Sequence, residues 1–239
     1  MTTSPVNPRG LGDIIVTARG MDEYQAMFDL DCTALAGLRI LDCPGGAGAF
    51  GASARARGAE VTSVDPAYRI PLSELIPRAR ADTLRGNRYA REHPDLYVWD
   101  WFVSADHHQA SRLVALEIFA VDFSGPDARY VPAMLPKLPF ADASFDLVLS
   151  GHLLFTYPDH MDRLAHLAAL RELIRVGGHE VRIFPLIDTT VAPSPHLDDL
   201  RRTLAAEGVA SELRRVPYEF QRGAHTMMVL HRDPATPGR

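Results

Sequence analysis

Apolar residues fall in short runs separated by glycine- and proline-rich breaks, and the runs alternate with stretches of helical spacing. The first clear run, Leu38-Arg39-Ile40-Leu41-Asp42-Cys43, stops at Pro44-Gly45-Gly46-Ala47-Gly48. An apolar run ending in glycines predicts a buried strand followed by a tight turn. Residues 49–57 carry good helix formers and end at Gly58, a natural helix stop. Glu60-Val61-Thr62-Ser63-Val64 is rich in β-branched residues and finishes at Asp65-Pro66. Strand, helix and strand in succession imply parallel pairing, because the crossover returns the chain in the same direction.

Residues 67–122 read as helical but uneven, with Pro71, Pro77, Gly86 and Pro94 dividing them into several pieces. The segment is longer than a crossover needs. Its aromatics, including Trp99, Trp101 and Phe102, suit either a lid over whatever the sheet binds or a helical layer covering one sheet face. Alternation then resumes, with a short strand predicted at residues 129–133 and a strong one at Phe145-Asp146-Leu147-Val148-Leu149-Ser150. Asp159 is placed to cap a helix running to about Val176, with Leu164, Leu167, Leu170 and Ile174 on its apolar face. Gly177-Gly178 closes it and releases Glu180-Val181-Arg182-Ile183-Phe184 as a further strand. A last helix at residues 196–207 stops at Gly208. Two extended segments, 211–220 and 225–231, are joined through Arg222-Gly223 and predict an antiparallel hairpin at the sheet edge. The expected fold class is α/β: a doubly wound, mostly parallel seven-stranded sheet with a terminal antiparallel hairpin and a helical insertion after strand two. Residues 21–232 are expected to form one domain between tails at 1–20 and 233–239, the N-terminal tail either free or folded over the domain.

Composition narrows the partners more than the fold. Of 239 residues, 25 are basic and 30 acidic, a formal charge of -5, and Lys137 is the only lysine. Scattered arginines on a mildly acidic chain make no basic stripe, which disfavours extended nucleic-acid binding. No apolar run nears the roughly 20 residues that cross a bilayer, and the first 20 residues lack a signal peptide's apolar core. A cytoplasmic protein without membrane contact is expected, with Cys32 and Cys43 as reduced thiols. His107-His108 lacks acid and cysteine partners and reads as an exposed pair, so no metal site is expected.

Glycines after a strand let backbone N–H groups approach a ligand at the positive end of the next helix. Gly46-Ala47-Gly48-Ala49-Phe50-Gly51 matches the dinucleotide pattern literally, and Asp65 lies near the spacing of a ribose-binding acid. Three features point away from a nicotinamide cofactor. Asp42 puts a carboxylate where a pyrophosphate would be repelled and a cation welcomed. Pro44 starts the turn, and the last two strands form a hairpin.

In these residues the chain resembles the class I S-adenosylmethionine-dependent methyltransferases. Leu41 to Gly48 resembles their first motif, with Pro44 replacing the usual first glycine, and Asp65 matches the acid that accepts from both ribose hydroxyls. Leu138-Pro139-Phe140-Ala141-Asp142-Ala143-Ser144-Phe145-Asp146 and the strand it enters are similar to the family's fourth strand. Leu170 to Gly178 is similar to the helix and double glycine before its fifth. The resemblance implies S-adenosylmethionine as cofactor, held by Asp42, Pro44, Gly45, Gly46, Gly48, Asp65, Pro66, Ser150 and Gly151. The acid that many relatives place after strand three is missing from Val131 to Pro136, so Met134 and Leu135 would hold the adenine by apolar contact.

Methyl transfer is an in-line displacement at a sulfonium methyl, so the protein must mainly position the reactants and exclude water. After strand four, His152 is the candidate base, and a histidine satisfied in an apolar pocket wall is the competing reading. Tyr157, Trp99 and Trp101 are candidate substrate contacts, and Tyr24 and Phe28 suit the cofactor's mouth. A small-molecule acceptor is expected. Two other readings stand beside it: a nicotinamide-dependent oxidoreductase, and a regulatory protein that binds the cofactor without turnover.

Overall fold

The computed structural model describes residues 14–232. Strands β1 (Arg39–Asp42), β2 (Glu60–Val64), β3 (Tyr130–Val131), β4 (Phe145–Gly151), β5 (Gly177–Phe184), β6 (Val209–Arg215) and β7 (Thr226–Arg232) form one sheet in the order β3-β2-β1-β4-β5-β7-β6. The first five pair in parallel; β7 is antiparallel to both β5 and β6. The terminal hairpin is thus present, with its second strand inserted next to β5.

Period-two alternation explains why both sheet faces are apolar. Leu41, Val148, Val181 and Leu230 pack on one face beneath α5 (Arg163–Val176) and α6 (Leu197–Ala206). Their neighbours Ile40, Leu147, Leu149 and Val229 pack on the other, beneath α1 (Met21–Phe28) and α2 (Phe50–Arg55). Helix α5 begins later than its sequence suggests, because Asp162 and not Asp159 accepts the capping bond, from Ala165 N at 2.8 Å. Leu164 then falls on the outer face, 68% exposed, rather than on the apolar one.

The insertion after β2 is two long helices, α3 (Leu72–Glu92) and α4 (Ala105–Phe123). Pro77 and Gly86 do not divide it: both lie inside α3, and the breaks fall outside at Pro71 and Pro94. The two helices pack together, and Leu75, Ala79, Leu116 and Phe119 build a third core with Val16, Ala18, Ala47 and Ala49. The insertion therefore rests on the glycine turn and on the chain ahead of α1. Residues 14–20, expected as part of a tail, belong to the domain; 1–13 and 233–239 lie outside the described residues. Among the described residues no helix is long and apolar enough to cross a membrane.

Candidate functional site

A cavity of about 350 Å³ opens at the carboxyl ends of β1, β2, β3 and β4, where open α/β sheets bind ligands. Its walls come from the loops that follow these strands: Cys43 to Gly46, Val64 to Pro66, Ala133 to Pro136, and Gly151 to Leu153. Pro44, Gly45, Gly46, Asp65, Pro66, Met134, Leu135, Gly151 and His152 are all on this wall, as their positions in the sequence suggest. Met134 is 64% exposed there, an apolar side chain that water alone does not reward.

The glycine turn is shaped by close approach. Gly46 has φ +53°, and a Cβ there would lie 2.6 Å from Thr17 O. At Gly45 a Cβ would meet Tyr68 Oη at 2.5 Å. Only residues without a side chain fit both positions. The chain ahead of α1 lies across the turn: Ala47 N donates to Thr17 O at 2.9 Å and Ala49 N to Arg19 O at 2.8 Å.

Asp65, at the end of β2, is held by its own loop. Its Oδ1 accepts from Ala67 N at 2.8 Å and its Oδ2 from Gly46 N at 3.1 Å. Burial pushes its carboxyl above the usual carboxylate range, and these two amides pull it back. Each oxygen keeps a second lone pair, and Asp65 lines the cavity. Asp42 is buried behind the wall rather than on it. Tyr24 Oη donates to its Oδ1 at 3.0 Å and itself lines the cavity, so the carboxylate reaches the site through Tyr24. Burial pushes Asp42 up to about 7; the Tyr24 bond opposes the rise and the Asp65 charge adds to it.

Other residues expected at the site lie off the cavity wall. Gly48 does not line the cavity: its absent Cβ makes room for Arg19 O, 3.2 Å away. Ser150 is buried off the wall, because period-two alternation places it in the sheet while Gly151 faces the opening. Trp99 and Trp101 touch neither this cavity nor the one beside it. Trp99 packs on Phe220 at 5.2 Å and Trp101 on Tyr218 at 5.3 Å, bracing the insertion against the hairpin connection. Phe28 is core, 6.5 Å from the Phe184 ring, and only Tyr24 of that pair reaches the opening.

Beyond the first cavity lies a second of about 90 Å³, and Ile15, Thr17, Arg19 and His152 line both. Tyr157 is on its wall, accepting from Ile15 N at 3.4 Å, as are Thr83, His108, Arg112, Thr156 and Phe220. His152 adopts φ +53°, a region uncommon for a residue with a side chain, and its N–H donates to Phe184 O at 2.7 Å. Burial, reinforced by Arg19 and Arg112, holds its imidazole well below 6.5. It is a neutral, weak base at pH 7 and not the well-matched base its ordinary pKa suggests. His108 is buried rather than exposed. Its Nε2 accepts from Arg112 Nε at 3.2 Å, and burial with the Arg112 charge takes its pKa down to about 2.

In an NMR titration from pH 8 to 5.5, the ring resonances of His108 and His152 are expected to stay fixed. A His152 midpoint inside that range would restore the base reading. Below about 6.5 the unfolded chain takes up protons that these folded imidazoles refuse, so their contribution to stability is lost as pH falls. Asp42 acts in the opposite sense. It keeps its proton to about 7, so its contribution declines as pH rises from the unfolded aspartate value of about 3.9.

Sequence comparison agrees with this architecture. A family model described as a methyltransferase domain matches residues 105–181, from α4 into β5. Over that stretch, about a third of its length, the chain is similar to methyltransferase domains. An uncharacterized protein of Methanocaldococcus jannaschii is 26% identical over 223 residues, 93% of this chain and 98% of its own. Among solved structures, magnesium protoporphyrin IX methyltransferase of Synechocystis is 15% identical with a TM-score of 0.45, covering 84% of this chain and 72% of its own. The 1,6-didemethyltoxoflavin-N1-methyltransferase of Burkholderia thailandensis is 17% identical with a TM-score of 0.47, covering 88% of this chain and 80% of its own.

The part of the site that sequence reasoning missed is the stretch Ile15 to Arg19. The apolar trio Ile14-Ile15-Val16, isolated in an otherwise unpatterned start, was its one visible signal.

Proposed function

We propose that the protein is a class I S-adenosylmethionine-dependent methyltransferase, binding S-adenosylmethionine in the first cavity and transferring its methyl group to a small-molecule acceptor in the second. The observation that carries the reading is Asp65, a buried carboxylate at the end of β2 with both oxygens fixed by amides and a lone pair on each to spare. Those acceptors suit the two ribose hydroxyls. Met134 and Leu135 supply the apolar wall for adenine, and Tyr24, backed by Asp42, an acceptor for the ammonium group.

When bound, the cofactor supplies an electrophilic methyl on a sulfonium. The chain's own work is positional. Its 14–20 segment covers the glycine turn and separates the cavities, while His152 and Tyr157 stand where the acceptor would sit. Excluding water there lets oriented reactants react without a competing nucleophile. The acidic net charge and the two free cysteines support a cytoplasmic enzyme acting on small molecules rather than nucleic acid.

Calorimetry tests the reading. S-adenosylhomocysteine is expected to bind with one site per chain, and NADH to give no response. NADH binding without S-adenosylhomocysteine binding would replace the methyltransferase with the oxidoreductase. Cofactor binding with no methyl label passed from labelled S-adenosylmethionine to any small molecule of a metabolite extract would favour the regulatory reading.

A further inference from the structure

The second cavity is lined by polar atoms whose hydrogen bonds lead nowhere. Arg19 Nε, His152 Nδ1, Thr83 Oγ1 and Thr156 Oγ1 are all shut from solvent and have no partner. Thr83 and Thr156 are themselves buried, 6% and 5% exposed. Buried polar groups are ordinarily paired, and four unpaired ones around one small space mark a place where a ligand supplies the partners. Three of the four side chains are donors or readily serve as donors: a guanidinium and two hydroxyls.

The charges around the space are unequal. Among the described residues, no carboxylate lies within ion-pair distance of Arg19, whose only side-chain hydrogen bond is to Thr17 Oγ1 at 2.6 Å. Arg112 is the second guanidinium, and Glu23 neutralises it at 2.8 Å. Asp82, on the same wall, is already occupied by Val16 N at 2.9 Å and Arg85 at 3.0 Å. The neutral imidazoles of His108 and His152 add no charge. One half-buried positive charge is therefore left without an ion-pair partner among the described residues.

Resting on the methyltransferase reading, we infer that the second cavity is the acceptor site and that it takes a small carboxylate, held by Arg19 with the Thr83 and Thr156 hydroxyls. A carboxylate accepts hydrogen bonds without donating any and matches the planar guanidinium fork. A volume of about 90 Å³ is roughly three waters' worth, room for the carboxylate end of the acceptor and little more. An acceptor that arrives ionised at that end also agrees with a pocket histidine too weak to take a proton near pH 7.

The test titrates the S-adenosylhomocysteine-loaded protein with acetate and with the neutral isostere acetamide, at ionic strength matched with chloride. Acetate is expected to bind at least tenfold more tightly than acetamide. Arg19→Gln should erase that preference. Thr156→Val, which removes one hydroxyl and leaves the charge, should weaken acetate severalfold. Equal binding of acetate and acetamide, or binding of neither, overturns the inference. So does a loss of S-adenosylhomocysteine affinity in Arg19→Gln with methylthioadenosine affinity kept, since Arg19 would then hold the cofactor's own carboxylate. Failure of the wild-type protein to bind S-adenosylhomocysteine at all is a separate result, and it removes the methyltransferase reading itself.

Discussion

Glu23→Ala is expected to destabilise the fold by about 3–5 kcal/mol, the range for breaking a buried ion pair from one side. Glu23 is 4% exposed and meets Arg112 at 2.8 Å, and its Oε1 also accepts from Tyr218 Oη at 2.9 Å. Arg112 in turn donates to Ala18 O at 3.0 Å and to His108. One carboxylate thus ties α1, α4, the hairpin connection and the segment over the glycine turn. Removing it leaves Arg112 buried without its ion-pair partner, beside Arg19, whose charge Arg112 already opposes. For a chain of this size the loss corresponds to a fall in Tm of roughly 6–20 °C. Urea denaturation measures it directly. Glu23→Gln keeps the volume and an acceptor for Tyr218 but loses the charge, so it should recover only a minor part. If Glu23→Ala costs less than about 1 kcal/mol, water entering from the second cavity solvates the arginines and the pair is not what holds these elements together.

The sheet was legible because its strands are buried on both faces and interrupted by glycine and proline, so each reads as a short apolar run. The glycine turn and Asp65 were legible for a related reason: close backbone approach and a strand-end carboxylate leave marks in residue type. What stayed hidden is set by partners distant in sequence. The 14–20 segment acts through the carbonyls of Thr17 and Arg19, and a carbonyl is common to every residue. His108 looked exposed because its burial comes from Asn87 on α3 and Phe220 near the hairpin, 3.0 Å and 4.5 Å away. Pro77 looked like a helix break because local rules weigh the missing N–H and not the tertiary packing that sustains α3 around it. Asp42 shows both cases at once. Its place at the end of β1 is written in the sequence; that it acts through Tyr24, eighteen residues earlier, is not.

Asp65→Ala is expected to weaken S-adenosylhomocysteine binding by about 1–3 kcal/mol, roughly 5- to 150-fold, through loss of a charged acceptor for the ribose. The same carboxylate also receives Gly46 N and Ala67 N, so the substitution loosens the turn as well as the ligand. Three ligands separate the two effects. S-adenosylhomocysteine and methylthioadenosine both carry the ribose and should lose affinity by a similar factor. Adenine alone lacks it, and its contacts would fall to Met134 and Leu135 across the cavity, so its affinity should change little. A parallel loss for all three would mean that the cavity collapses when its amides are released. Unchanged binding of all three in a folded variant would remove Asp65 from the ribose and with it the observation on which the cofactor assignment stands. Asp65→Asn sharpens the comparison, because it keeps one oxygen for a backbone amide while replacing the other with a donor. It should therefore bind more weakly than wild type yet leave the turn closer to its native form than alanine does.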